Sequence, residues 1–430
     1  MSAERGQQGR GWLYNWVLHL RRVYLHGWQG LVPEQIRIFI SAGEASGDNY
    51  GALILQALRE RQPATAFFGC AGARLAEAGC EAVVDAATVT MVGLVEVLPG
   101  LPRAWRALQS LKRAIRERRP TLAILVDFPD FNLRLAEFLK AEGIPVLYFV
   151  APQVWAWRKG RLKAIRRVVD RLLCLFPFEE EFFRKAGVSA EFVGHPLVAR
   201  AKPKQSREDF YASLEIPNHS TLIALLPGSR RKEVELNLPP MVEAARMLAG
   251  QRPCEFVLPA APGLPVEWLR RQLGSFAEKV HITRGQFYDT VGHARAAIVA
   301  SGTASTETAI LGTPMVIVYR VTGLSWFLGR RLVDIPFFSI VNLVAGREVV
   351  PELIQDRFTG SAVATEVGKL LDDGAARTRM VKDLSDVVDK LAKSSSVAGA
   401  GQPRRGEIAD PIQRAAAIAE SMLVERPGRG

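Results

Sequence analysis

The sequence predicts an α/β protein built from two open parallel sheets in succession, and three observations carry that prediction. From residue 36 short β-branched apolar runs alternate with stretches of helical period; the alternation lapses between 194 and 220; it then restarts and runs to residue 318. Apolar runs separated by helices indicate parallel strands, since a parallel pair needs a crossover and its sheet is covered on both faces. In the first half the predicted strands are 36–41, 66–69, 122–126, 145–150, 171–175 and 190–193, with helices at 49–61, 103–118, 132–142 and 178–186. The stretch 194–220 gathers Pro, Lys and Asn and reads as a connection holding one short helix. Beyond it, strands at 222–226, 254–258, 280–282, 297–299 and 314–318 alternate with helices near 234–249, 265–275, 287–294 and 304–311. The predicted division is an extension over 1–35, a first domain over 36–200, a linker over 201–220, a second domain over 221–392 and a terminal segment over 393–430. In that last segment 393–407 is small, polar and expected to be mobile, while 408–424 is an amphipathic helix. Two such domains facing each other leave a cleft at the carboxyl ends of their strands, where open α/β sheets bind ligands.

Composition narrows the partners. A chain of 430 residues exceeds what one core serves, and 48% apolar residues can fill two. Cys70, Cys80, Cys174 and Cys254 lie far apart with no CxxC and no His pair at ligand spacing, which speaks against a disulfide framework or zinc site and for a reducing compartment. The net charge of +12 calls for an acidic partner: nucleic acid, anionic lipid or a phosphorylated small molecule. No run reaches the roughly 20 uninterrupted apolar residues of a membrane span. The nearest, 11–28, is broken by Asn15, His19, Arg21 and Arg22 and has no export cleavage signal. It reads as a poorly ordered extension, with an interfacial helix as the alternative.

Three loops of the first half carry polar chemistry. ISAGEASGD (40–48) runs from a strand into a helix and offers backbone N–H groups to an anion. Yet the GxGxxG spacing is absent and Glu44 and Asp48 would repel a phosphate, so a sugar held by Glu44 and Ser46 suits it better; a helix start capped by Ser46 or Asp48 suits it equally. LVDFPDFN (125–132) closes a strand expected to be central. Asp127, at the strand end in partly apolar surroundings that would raise its pKa, is the candidate general base. Asp130 and Asn132 either reach the substrate or cap the next helix. In APQVWAWRKGR (151–161), Trp155, Trp157 and Arg158 suit stacking on a sugar or contact with a bilayer, with nucleic acid the weakest option and a packed Trp pair the structural one.

Two loops of the second half have the sign for a nucleotide. LLPGSRRKEV (225–234) turns through Gly228 and Ser229 and brings Arg230 to a helix start, an arrangement that fits a diphosphate without being a Walker loop. In ASGTASTETAILGTP (300–314) the small residues Ser301, Gly302 and Thr303 let a ligand approach the backbone, and Glu307 either binds ribose hydroxyls or is a first-turn carboxylate favoured by the helix dipole. Residues 91–119 and 323–338 mix large apolar side chains with Arg and Lys and together suggest peripheral contact with anionic membrane. No metal site and no cofactor are expected.

The strings GEASGD, MVGLVEVL, DFPDFN, APQVWAWR, PFEEEFF, FVGHPL, LLPGSRRKEV, SGTASTE and VNLVAGREVVPELIQ, in this order, resemble the lipid A disaccharide synthase family over roughly residues 36 to 360. The resemblance implies a metal-independent, inverting glycosyltransferase of the two-domain GT-B fold at the cytoplasmic face of the inner membrane of Gram-negative bacteria. It implies UDP-2,3-diacylglucosamine and 2,3-diacylglucosamine 1-phosphate as substrates, the β(1→6) disaccharide 1-phosphate and UDP as products, and no nucleic acid partner. By motif it assigns the essential acid to Asp127 and functional positions to Glu44, Arg230 and Asn342; Asn342 is expected at the nucleotide, and so, on the residues themselves, is Arg347, assisting at the phosphates. It also raises a homodimer with exchanged C-terminal segments. Rival readings keep the fold and change the chemistry, to a UDP-sugar 2-epimerase or the glycosyltransferase of peptidoglycan lipid assembly, or discard catalysis for lipid or nucleic acid binding.

Overall fold

The computed structural model describes residues 36–90, 97–157, 159–322, 335–393 and 410–424. The sequence readings for 1–35 and most of 393–407, and part of those for 91–119 and 323–338, lie outside these residues. The first sheet holds β1 (Arg37–Ala42), β2 (Ala66–Ala71), β3 (Glu81–Asp85), β4 (Leu122–Val126), β5 (Val146–Phe149), β6 (Arg171–Cys174) and β7 (Ala190–Phe192). All seven are parallel, in the order β3-β2-β1-β4-β5-β6-β7. The second holds β8 (Thr221–Leu226), β9 (Cys254–Ala260), β10 (Val280–Arg284), β11 (Ala296–Ala300), β12 (Met315–Tyr319) and β13 (Glu352–Ile354), parallel in the order β10-β9-β8-β11-β12-β13.

In each sheet the order reverses beside the first strand, between β1 and β4 and between β8 and β11, which opens a crevice at the carboxyl ends of those strands. The runs that the sequence marks as most apolar are the central ones: every residue of β4, β5 and β11 is buried. Burial on both faces explains why they read as continuous rather than alternating.

The structure differs from the sequence reading at the edges. β3 and β13 are outermost strands that the pattern did not predict. In β3 only Val84 is buried, and β13 has three residues, so neither carries a usable apolar period. The helix Ala45–Arg61 starts four residues earlier than the predicted 49, so Ser46 and Asp48 sit in its first turn. The helices Leu162–Val168, Gly360–Leu371 and Ala375–Ala392 were also unpredicted. No helix among the described residues is long and apolar enough to cross a membrane.

The chain crosses between the sheets twice. After Ala375–Ala392, the C-terminal helix Pro411–Val424 lies against Ala45–Arg61 of the first sheet, burying Ile412, Ala415, Ala416, Ala419 and Met422. Arg414 donates to Glu191 on β7, and Glu420 accepts from Arg61 and Gln62, each at 3.1 Å. Where the two connections pass, the His195 N–H donates to the Leu391 carbonyl at 2.9 Å and Arg200 pairs with Asp410 at 2.8 Å.

One glycine is indispensable to the first sheet. Gly69 has φ +155° at the irregularity between β2 and β3, and a Cβ there would lie 1.9 Å from the Ile40 carbonyl oxygen of β1. Gly69→Ala should lower stability by roughly 3 kcal/mol or more, read as a drop in the urea midpoint at unchanged slope.

Candidate active site

At the end of β4 the backbone turns through two residues in the left-handed region, Asp127 at φ 49° and Phe128 at φ 52°. Neither residue tolerates that conformation cheaply; each costs on the order of 1–3 kcal/mol unless its surroundings enforce it. Asn132, fully buried, provides the enforcement. Its Nδ2 donates to the carbonyls of Asp127 (2.8 Å), Val126 (3.2 Å) and Ser41 (3.3 Å), and its Oδ1 accepts from Ser41 Oγ at 2.7 Å. The Tyr148 hydroxyl adds a 2.6 Å bond to the Asp127 carbonyl.

The same turn locks onto the GEASGD loop. The Phe128 ring covers Gly43 so closely that a Cβ on that glycine would lie 2.2 Å from the ring. Burial, then the Glu44 charge, push the Asp127 carboxyl up to about 6, against the Phe128 N–H that favours ionisation. Asp48 faces the other way. It accepts from the N–H groups of Gly72 (2.7 Å), Arg74 (2.9 Å) and Leu75 (3.3 Å), capping the helix Ala73–Glu77.

In the second sheet a cavity of about 1020 Å³ opens at the carboxyl ends of β8 to β12. The predicted residues Gly228, Ser229, Arg230, Ser301, Gly302, Thr303 and Glu307 all line it. Burial raises Glu307 to about 7, moderated by the Tyr288 hydroxyl donating to its Oε1 at 3.3 Å. Tyr50, buried on the helix Ala45–Arg61, has its ionisation opposed by burial first and then by Glu307, Tyr288 and Asp127, with Arg200 acting the other way. Glu307 and Tyr288 of the second sheet and Asp127 of the first thus all lie within electrostatic reach of Tyr50.

Several candidates stand elsewhere. Asn132 is spent on backbone groups and has no donor left for a ligand. Asp130 is exposed and pairs with Arg161. Trp155 is packed, edge-on to Phe178 at 5.1 Å, with its Nε1–H on Glu179 at 3.1 Å; burial raises that carboxyl to about 8. Trp157 ends the short helix Val154–Trp157, and Arg158 lies outside the described residues. Asn342 is buried away from the cavity: its Nδ2 donates to Glu352 and Val350, and its Oδ1 accepts from the N–H groups of Val349 and Val350. Arg347 pairs with Asp383 at 2.7 Å, also off the cavity. Glu44 and Ser46 are exposed at the mouth of the first crevice.

Sequence reasoning missed Arg284, Tyr288 and the segment 259–265 at and beyond the end of β9, all on the cavity wall, although Arg284 ends β10 and the strand-end rule would have flagged it. It also missed Asn237, buried beneath the PGSR turn, which donates to the Pro227 carbonyl at 3.0 Å and accepts from the Arg320 N–H at 2.9 Å. Among the described residues no three His, Cys, Asp or Glu side chains gather to hold a metal ion.

Two parallel sheets meeting at a cleft, with a cavity at the strand ends of the second, are the GT-B fold. Solved structures share it: CalG4, the calicheamicin glycosyltransferase, is 16% identical with a TM-score of 0.56 over 92% of this chain and 100% of that one. The UDP-GlcNAc 2-epimerase from Neisseria meningitidis, bound to UDP-GlcNAc, is 13% identical with a TM-score of 0.58 over 91% of this chain and 100% of that one. At such identities the likeness establishes the fold alone. Sequence goes further: the profile of the lipid-A-disaccharide synthetase family matches residues 38–401. The lipid-A-disaccharide synthase of Solibacter usitatus is 46% identical over 363 residues, 84% of this chain and 95% of that one. The chain belongs to the lipid-A-disaccharide synthase family, glycosyltransferases of lipid A biosynthesis.

Replacing Asn132 by Asp keeps its shape but turns a donor into an acceptor facing three carbonyls. Asn132→Asp should lose about 3 kcal/mol of stability at neutral pH, measured by urea unfolding, because buried unpaired polar groups are costly.

Proposed function

We propose that this protein transfers the sugar of UDP-2,3-diacylglucosamine to 2,3-diacylglucosamine 1-phosphate, giving the β(1→6) tetraacyldisaccharide 1-phosphate and UDP with inversion at the anomeric carbon. What supports the reading is the pairing of Asp127, its carboxyl pushed up to about 6 at the end of β4, with a cavity lined by Arg230 and Glu307 at the strand ends of the second sheet. A base and an anion site on opposite walls are what a single displacement needs.

In this mechanism Asp127 takes the proton from the acceptor 6-hydroxyl as that oxygen attacks from the face opposite UDP. The αL turn fixes the direction of the carboxylate, and Glu44 keeps its basicity high and orients a sugar hydroxyl. Arg230 and the small-residue loop at 301–303 take the charge of the departing diphosphate. Glu307, with Tyr288 on its Oε1, holds the ribose. Both acylated substrates partition into membrane, so the enzyme would work docked on the cytoplasmic face of the inner membrane. The helix Val97–Arg118 supports that placement: Trp105 is 63% exposed on it, beside Arg103, Arg106 and Arg113.

The direct test is incubation of purified protein with the two acylated sugars, following UDP and the disaccharide; absence of product across acyl chain lengths rejects the reading. Asp127→Asn should lower turnover by about 10²–10⁴ while UDP binding is retained, and retained turnover would remove Asp127 as the base. Because the base must be ionised, kcat/KM should rise with pH through about 6. Glu44→Gln removes one of the influences raising that carboxyl and should move the rising limb to lower pH; a limb that stays in place would separate Glu44 from Asp127.

A further inference from the structure

The donors that suit the PGSR turn to a diphosphate are already engaged. Glu233, in the first turn of the helix Arg231–Gln251, accepts the Ser229 N–H at 3.0 Å and the Arg230 N–H at 3.2 Å on Oε2, and Arg230 Nη1 at 3.1 Å on Oε1. The approach is tight: Gly228, at φ +123°, could carry no Cβ, which would lie 2.6 Å from Glu233 Oε2. Glu233 also lines the cavity alongside these donors, and its side chain is 23% exposed, with room to leave. A carboxylate carrying two backbone N–H groups and a guanidinium makes the contacts that a phosphate oxygen pair would make at the same place.

We propose that Glu233 is an internal competitor for the nucleotide diphosphate: it holds the turn's donors in the free enzyme, is displaced when the diphosphate binds, and returns to expel UDP after transfer. This rests on the cavity being the nucleotide site and adds to it a residue that sets affinity rather than chemistry. Two anions cannot share the same three donors, so binding exchanges one for the other. An occupied site lowers apparent affinity by the fraction of molecules in which the donors are free. A glycosyltransferase gains from this arrangement at its last step, because the diphosphate that must be gripped during departure must then be released.

The sign of the effect distinguishes this from a merely structural cap. If Glu233 only shapes the turn, neutralising it loosens the loop and weakens nucleotide binding or leaves it unchanged. If it competes, neutralising it strengthens binding. Titration of the full-length protein with UDP should show Glu233→Gln binding about three- to tenfold more tightly than wild type, with stronger product inhibition by UDP and a lower KM for the sugar nucleotide. Glu233→Ala, which frees the donors altogether, should also bind UDP more tightly; thermal melting of both variants reports whether they fold, and the isosteric Gln decides if Ala does not. Equal or weaker UDP binding by folded Glu233→Gln overturns the inference. Arg230→Ala serves as the control on the site: if wild type binds UDP and this variant binds it equally well, the nucleotide does not use the turn, and the reading of the cavity fails together with the inference.

Discussion

The carbonyls of Ser41, Val126 and Asp127 converge on the amide of Asn132, and this junction ties β1, β4 and the following helix into one unit. Together with the Tyr148 hydroxyl on the Asp127 carbonyl, it holds two consecutive non-glycine residues in the left-handed region. Interior hydrogen bonds of this kind are valuable mainly because leaving them unmade is so costly. The backbone that carries Asp127 is therefore held by a neighbour whose own amide is spent on carbonyls.

The two halves of the cleft divide the electrostatic work. On the first sheet, burial and a like charge make a carboxylate more basic. On the second, Arg230 and Arg284 share the cavity wall with Glu233 and Glu307, and Glu233 holds the donors of the PGSR turn. The carboxylates Glu44 and Asp127 stand outside the lining of that cavity, so they add no further negative charge to its wall. Tyr50 occupies the boundary as a neutral group.

Much of the fold was legible because the central strands are apolar throughout and bounded by turns. The edge strands β3 and β13 were not, since a short strand paired on one side carries too little pattern to separate it from a loop. At the site, Asp127 and the PGSR and SGT loops were findable from one rule, that ligands meet the carboxyl ends of parallel strands. Asn132, Asn342 and Trp155 show where such reading stops. An Asn in a polar loop looks the same in sequence whether its amide meets a ligand or its own backbone, and only the three-dimensional account of donors and acceptors tells the two apart. Glu233 went unremarked for a related reason: three residues from Arg230, it reads as an ordinary surface pair, and its grip on the turn's N–H groups depends on Gly228.

The return of Pro411–Val424 to the first sheet gives the molecule a two-point suspension. One covalent connection between two bodies leaves them free to swing and twist; a second tie, with the His195 N–H on the Leu391 carbonyl and Arg200 on Asp410, removes part of that freedom. The salt links of Arg414 and Glu420 sit at the far end of that suspension, where they anchor it without touching the reacting groups.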